Sequence, residues 1–291
     1  MNRALASSKR TAVMTMEDVQ HGNASWWNAQ PMDYDWRDSN GLQRGSLAWF
    51  DEVDARFVAV SRLFATDSRP FDRILPLDAL AGRRVLEIGC GMGLHTELMV
   101  RAGAHVTALD LTPTAVDMTR RRLALKGLHA DVVVGDAESP DFRNGSFDFV
   151  WSWGVIHHSA RTGRVVRQIA RLLQPEGECR VMVYNREGMT ARLAAVRHVV
   201  QGRFLRQSID ETLFQATDGF TARFYVKDQF EDLFRTFFEH VTCDICGQDA
   251  DVLPVPHQLR AALLRVVPLA YQRRAQARRG GFLLLRATSP V

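Results

Sequence analysis

The sequence is poor in cysteine and lysine, and it lacks any long apolar run. Its four cysteines, Cys90, Cys179, Cys243 and Cys246, are scattered over 291 residues. That is too few for a disulfide framework in a chain this long, and it points to a reducing, cytoplasmic compartment. The most apolar stretch, 261–271, is interrupted by Arg265 and Pro268. It falls short of the roughly 20 residues a spanning helix needs, so no transmembrane segment is expected. The first 20 residues mix Arg3, Lys9, Arg10, Glu17 and Asp18 without the apolar core of a secretion signal. Lysine occurs only at 9, 126 and 227, so arginine carries nearly all the positive charge, and residues 252–291 hold seven arginines and no acid. The formal charge of +4 therefore hides a basic tail on a mildly acidic body. Only that tail could attract an anionic substrate, a nucleic acid or an anionic surface by charge alone, with 260–286 as its densest part.

What is present reads as globular. Hydrophobic residues make up 46% and charged residues 24%, which excludes a disordered or fibrous chain, and the length suits one large domain with insertions. From Arg84 onward, short β-branched runs alternate with amphipathic stretches, the pattern of βαβ units and a parallel sheet. Strands are expected at 85–89, 105–110, 132–134, 147–153 and 179–184, the last after a turn at 174–177. Helices are expected at 94–102, from Thr112-Pro113 to Gly127, and at 161–173. Later come an amphipathic helix at 227–238, strands at 241–246 and 282–286, and a helical stretch at 257–279 broken at Pro268. The expected organisation is an N-terminal aromatic-rich lid segment (1–80), a core (81–185), a helical cap insertion (186–226) and a C-terminal completion of the sheet (227–291). The lid carries Trp26, Trp27, Tyr34, Trp36, Trp49 and Phe50. Most of these should pack structurally, with Trp26, Tyr34 and Trp36 the candidates for ligand contact.

The chemistry concentrates at the ends of the first three strands. Gly89-Cys90-Gly91-Met92-Gly93 forms a tight turn that lets a ligand approach the backbone. A dinucleotide fingerprint would need glycine at position 94, where Leu94 stands. Glu87 precedes the turn, Asp110 ends the second strand and Asp136 follows the third; in an open parallel sheet such strand ends share one crevice. Three carboxylates would repel a pyrophosphate. They suit a ligand with an amine, a sulfonium and a ribose, because carboxylates accept hydrogen bonds and favour cations, and S-adenosylmethionine has those features. Asp110 would take the ribose hydroxyls and Asp136 the adenine amine.

The run 85–93 (VLEIGCGMG), then 106–112 (VTALDLT), Gly135-Asp136-Ala137-Glu138, and 147–158 (FDFVWSWGVIHH) resembles the class I S-adenosylmethionine-dependent methyltransferases. The likeness is to the small-molecule type that includes the ubiquinone and menaquinone C-methyltransferases. The resemblance implies a Rossmann-like, mostly parallel α/β sheet of seven strands, the last antiparallel, with helices on both faces. It also implies cofactor contacts at Gly89, Cys90, Gly91 and Gly93, at Asp110 with Leu111 packing on the base, at Asp136 and Ala137, and near Trp153. It covers 81–185 well and does not reach the acceptor.

Methyl transfer is an in-line displacement that rests on alignment. A hydroxyl or amine acceptor can also need a base, for which His157 and His158 stand at the crevice end of the fourth strand, with His157 preferred. Tyr184, Arg223 and Tyr225 are further substrate candidates. Cys243 and Cys246 form a lone CxxC, but on a strand these positions face opposite ways, so the transfer is expected to be metal-independent. The expected function is methylation of an O, N or C atom of a small, partly apolar metabolite in specialised or quinone-like metabolism. The alternatives are a tRNA or rRNA methyltransferase using the basic tail and a non-catalytic cofactor-binding protein.

Overall fold

Small hydroxyl residues open the N-terminal helices. The computed structural model describes residues 14–32, 41–66, 69–215 and 217–291. Thr15 starts α1 (Met16–Ala29) with a capping box, its side chain accepting from the Asp18 N–H while Asp18 accepts from the Thr15 N–H. Ser46 starts α2 (Leu47–Val60) by accepting from the Trp49 N–H. The alternating region follows as β1 (Arg84–Ile88), α3 (Leu94–Arg101), β2 (His105–Asp110), α4 (Pro113–Leu125), β3 (Asp131–Val134), β4 (Phe147–Trp153), α5 (Thr162–Leu172) and β5 (Leu173–Asn185). Thr112 caps α4, and Pro113 takes the first helical position, where no N–H is needed.

These five strands lie parallel in the order β3-β2-β1-β4-β5. The chain continues through α6 (Met189–Val200), α7 (Ile209–Gln215), β6 (Phe224–Tyr225), α8 (Lys227–Arg235), β7 (Phe238–Cys246), α9 (Asp249–Val252), α10 (His257–Val266), α11 (Leu269–Arg279) and β8 (Phe282–Pro290). β8 enters antiparallel between β5 and β7. The mostly parallel α/β architecture is therefore present, with eight strands among the described residues instead of seven. The extra one, β6, pairs with Tyr184 and Asn185 beyond the last β4 pair, Trp153 with Met182. Two residues carry too little periodicity to be read from sequence.

Three boundaries differ from expectation. The turn at 174–177 is an irregularity inside β5: Phe147 pairs with Leu173 and Phe149 already with Glu178, so the extra residues loop out while the strand continues. Phe230, Phe234 and Phe238 recur every four residues and read as one helical face, yet α8 stops at Arg235 and Phe238 pairs with Pro290 in the sheet. For the same reason β8 runs past Arg286 to Pro290.

Side-chain alternation divides the core between the two faces of the sheet. Val150, Val181 and Leu285 pack with Val165 and Ile169 of α5 and Phe230 and Phe234 of α8. Phe149, Trp151 and Val85 pack with Leu75, Leu77 and Met99 on the other face. Cys243 lies in the first layer and Cys246 in the second, as positions three apart on a strand must. Trp49 and Phe50 of α2 are buried against Val53 and Met92.

Candidate active site

The strand order reverses direction between β1 and β4, and at such a point the carboxyl ends of the strands leave a crevice. A cavity of about 700 Å³ fills it, within the range of small-molecule sites. Its wall includes Gly89, Cys90 and Gly91, then Asp110 and Leu111, Asp136 and Ala137, and Trp153. Gly89 and Gly91 have φ of +83° and +52°, a left-handed backbone that glycine adopts freely. A Cβ at Gly89 would strike Val155 at 2.2 Å, whereas one at Gly91 would meet nothing within 4 Å. The first glycine permits packing and the second leaves the backbone open to the cavity. Gly93 is not on the wall; it caps the N-terminus of α3.

Asp110 accepts from the Gly91 N–H (3.1 Å) on one oxygen and from the Thr112 N–H (3.0 Å) and hydroxyl (2.9 Å) on the other. Burial pushes its carboxyl above the usual range, against these hydrogen bonds. Asp136 Oδ1 accepts from the Glu138 N–H (2.8 Å) and Gln20 Nε2 (2.9 Å), and burial raises this group as well. Asp54, Asp218 and Asp251 also line the cavity, and among the described residues no arginine or lysine does. Such a wall offers acceptors and negative potential to a ligand.

Glu87 is not part of that wall. The pleat turns it toward α3, where it is 1% exposed and accepts from the Thr96 hydroxyl, with its other oxygen 3.9 Å from His95 Nδ1. Burial pushes its carboxyl up to about 8, with Asp110 adding to the rise, so at neutral pH it is mostly a neutral acid tying α3 to β1. The sequence placed three carboxylates in one crevice; at these strand ends only Asp110 and Asp136 face it. His95, on the wall beside Phe57 and Trp153, is lowered to about 3 by burial and the nearby Arg122 charge. The Cys90 thiol accepts from the Thr119 hydroxyl at 3.5 Å, and burial raises its pKa, which leaves it unreactive.

The tight turn at Ile156–His158 sends its two histidines in different directions. His158 reaches the wall. Its Nδ1 lies 2.6 Å from the Thr221 carbonyl, so the neutral ring donates there and carries its lone pair on Nε2. Burial lowers its pKa to about 4. His157 is fully buried behind the wall, its ring centroid 4.1 Å from that of Tyr184, with neither ring nitrogen hydrogen-bonded among the described residues; burial holds it far below the usual histidine range. The preference for His157 is thus corrected in favour of His158 as the histidine that faces the cavity.

Tyr184 lines the far end with Met182, Phe224 and Phe282, and burial pushes its hydroxyl up to about 12. Trp26, Arg223 and Tyr225 do not reach the wall. Trp26 packs edge-on against Trp27 (4.5 Å), and it is Trp27 that enters the cavity, 5.0 Å from the His158 ring. Arg223 donates to the carbonyls of Ser159 and Ala160 and so braces the loop after β4, while Tyr225 packs on Phe230 of α8. Tyr34 and Trp36 lie outside the described residues. Among the wall residues that sequence reasoning missed, which include Asp54, His95, Asp218 and Asp251, three share one face of α1 at spacings of three and seven: Gln20, Asn23 and Trp27. Gln20 bridges Asp136 and the Ala160 N–H (3.0 Å), and Asn23 donates to the His158 carbonyl (2.5 Å). The Thr15–Asp18 capping box marks where α1 starts, and the spacing puts the three side chains on one face, but neither says which face meets the cavity.

The Methyltransferase domain family matches residues 86–181. A curated relative, the ubiquinone biosynthesis O-methyltransferase of Erwinia tasmaniensis, is 30% identical over 169 residues, covering 55% of this chain and 68% of that one. The chain belongs to the class I S-adenosylmethionine-dependent methyltransferases. A protein of the same name from Xanthomonas oryzae pv. oryzae is 38% identical to this methyltransferase over 118 residues, 40% of this chain and 49% of that one; the match spans about half of that relative's length. Among solved structures, a chain from the complex of the Haloferax volcanii Trm112 methyltransferase activator with a methyltransferase superposes with a TM-score of 0.56 at 18% identity, covering 92% of this chain and 98% of that one. The shared feature is the fold. The residues of this methyltransferase fit the donor of its family: the Gly91 backbone is open to the cavity, Asp110 and Asp136 offer acceptors, and among the described residues no arginine or lysine lines it to favour phosphate.

Proposed function

We propose that this methyltransferase moves the methyl group of S-adenosylmethionine to a hydroxyl oxygen of a small, partly apolar acceptor. The charge of the cavity wall carries the reading: five aspartates and, among the described residues, no arginine or lysine. When bound, S-adenosylmethionine supplies an electrophilic methyl on a positively charged sulfur. Asp110 takes the ribose hydroxyls, Asp136 and Ala137 the adenine edge, and Leu111 its face, while the backbone at Gly89 and Gly91 accommodates the amino-acid end. Trp27, Trp153, Met182, Tyr184, Phe224 and Phe282 form an apolar end suited to a flat ring. There His158 Nε2, free to accept because Nδ1 donates to the Thr221 carbonyl, would take the proton of the acceptor hydroxyl. α1 and α2 cover the cavity against water, and alignment of this kind can contribute about 7–11 kcal/mol.

The names of the curated relatives, as O-methyltransferases of ubiquinone biosynthesis, agree with a hydroxyl acceptor. An RNA acceptor fits poorly, because none of the arginines of 252–291 lines the cavity. Thermal unfolding in parallel with S-adenosylhomocysteine and NADH tests the reading. The sulfur nucleoside at 100 times its Kd should add about 2.7 kcal/mol of stability, NADH should add none, and Asp110→Ala should abolish the response. No shift with S-adenosylhomocysteine would refute the cofactor, and an undiminished shift in Asp110→Ala would refute the ribose contact.

A further inference from the structure

Surface helices of globular proteins turn their apolar stripe inward, yet α6 and α10 each present one to the outside. Leu193, Val196 and Val200 recur at spacings of three and seven on α6, and Leu259, Leu263 and Val266 at four and seven on α10; all six are exposed, Val200 and Val266 by 79% each. The segments that follow add Phe204 and Leu205, then Leu269 and Tyr271. Of the 18 exposed large apolar side chains among the described residues, 11 fall in 193–205 and 259–271. They are concentrated in two stretches, unlike the singly scattered residues that need no explanation. The same stretches and their flanks carry the exposed arginines Arg192, Arg197, Arg203, Arg206, Arg265 and Arg274. α6 and α10 both pack against α9, and α6 also lines the cavity through Ala191 and Ala194.

We propose that α6 and α10 form a surface that lies on an anionic lipid interface, with the apolar stripes among the acyl chains and the arginines at the headgroups. A second copy of the chain is a poorer occupant, because a two-fold contact would set each arginine-rich face against itself, and 252–291 holds no acid to pair with it. The headgroups of an anionic lipid offer a phosphate to every arginine of the face. Among the described residues no helix is long and apolar enough to cross a membrane, and the proposed contact is with one face of it. With one wall of the cavity on α6, a partly apolar acceptor dissolved in the bilayer would have a short route to the site; that consequence rests on the proposed function, whereas the lipid contact does not.

Co-sedimentation of the full chain with vesicles of phosphatidylcholine alone, and of phosphatidylcholine mixed with phosphatidylglycerol, tests this at low and high salt. The wild type should partition onto the anionic vesicles and less so at high salt. The triple variants Val196→Ser/Val200→Ser/Leu205→Ser and Leu259→Ser/Leu263→Ser/Val266→Ser should each lower the partition coefficient about tenfold or more. Arg265→Glu/Arg274→Glu should remove the preference for anionic lipid. Thermal unfolding of the variants reports that they remain folded. Absence of binding to anionic vesicles, or binding unchanged in both triple variants, overturns the proposal. So does a dimer that the same substitutions convert to a monomer without any vesicle binding. Affinity for S-adenosylhomocysteine, measured on the same wild-type preparation, reports the cofactor reading separately, so either can fail while the other stands.

Discussion

Burial keeps Glu87 protonated at neutral pH and keeps His158 neutral well below pH 6.5. Glu87 rises from 4.5 to about 8. Below pH 4.5 it is protonated in both the folded and unfolded chain, and its contribution to stability is intact. As pH rises, the unfolded chain ionises first, and the contribution is lost progressively up to pH 8, by an amount on the order of 5 kcal/mol. Glu87→Gln can still accept from Thr96, so it should be more stable than the wild type at pH 8 and gain little at pH 5, as read by urea unfolding at both pH values. His158 behaves in the opposite sense. With its pKa lowered to about 4, it stays neutral through the ordinary assay range, so wild-type turnover should show no histidine limb between pH 8 and pH 6. His158→Ala should lower kcat by roughly 10²–10⁴ while calorimetry shows unchanged affinity for S-adenosylhomocysteine. At this scale the identity of the polar residues was legible in the strand ends and their direction was not. Glu87 pairs with Ala108 and so shares its pleat face with Asp110; it differs in lying two positions back from the strand end, where Thr96 of α3 covers it.

At the scale of elements, the two N-terminal helices cover the cavity by different means. α2 is fixed through Arg122 of α4, which is 0% exposed, donates to both oxygens of Asp54, and reaches Glu97 of α3 at 2.7 Å. Arg122→Met would leave two carboxylates short of their partner and should destabilise the protein by about 3–5 kcal/mol in denaturant unfolding. α1, by contrast, buries only Asn23 and rests on the cavity rim through polar contacts. Gln20→Ala removes the bridge between Asp136 and the Ala160 N–H. Hydrogen exchange should then rise in α1 alone, with global stability little changed and affinity for S-adenosylhomocysteine several-fold weaker. The helices of 81–185 could be read from caps and periodicity, because those signals sit within one or two turns. α8 was read too long because apolar spacing alone cannot tell a helix from the first residue of the strand that follows it.

For the whole molecule, His95, His157 and His158 are all buried and all lowered below 6.5. The unfolded chain takes up protons at these groups before the folded one does, so the stability they contribute is present above pH 6.5 and is lost as pH falls toward 4 and 3. Between pH 4.5 and 6.5 this drift opposes that of Glu87, and above pH 6.5 only the latter acts. His157 makes no side-chain hydrogen bond among the described residues, so His157→Phe should keep the packing and lose less stability than the wild type between pH 6.5 and 4, measured as the thermal midpoint at each end.

From the sequence alone follow the α/β class, the strand ends that carry carboxylates, and the glycine turn. These depend on short-range patterns: alternation along a strand, a cap beside its helix, the backbone freedom of glycine. Which carboxylates face the cavity, which histidine does, and that Trp27 enters it instead of Trp26 were decided only by tertiary contacts. The pairs that decide them are far apart in the chain, as Gln20 with Asp136, Arg122 with Asp54 and His158 with Thr221 are. No local pattern encodes a hydrogen bond whose partners meet only after the sheet has assembled.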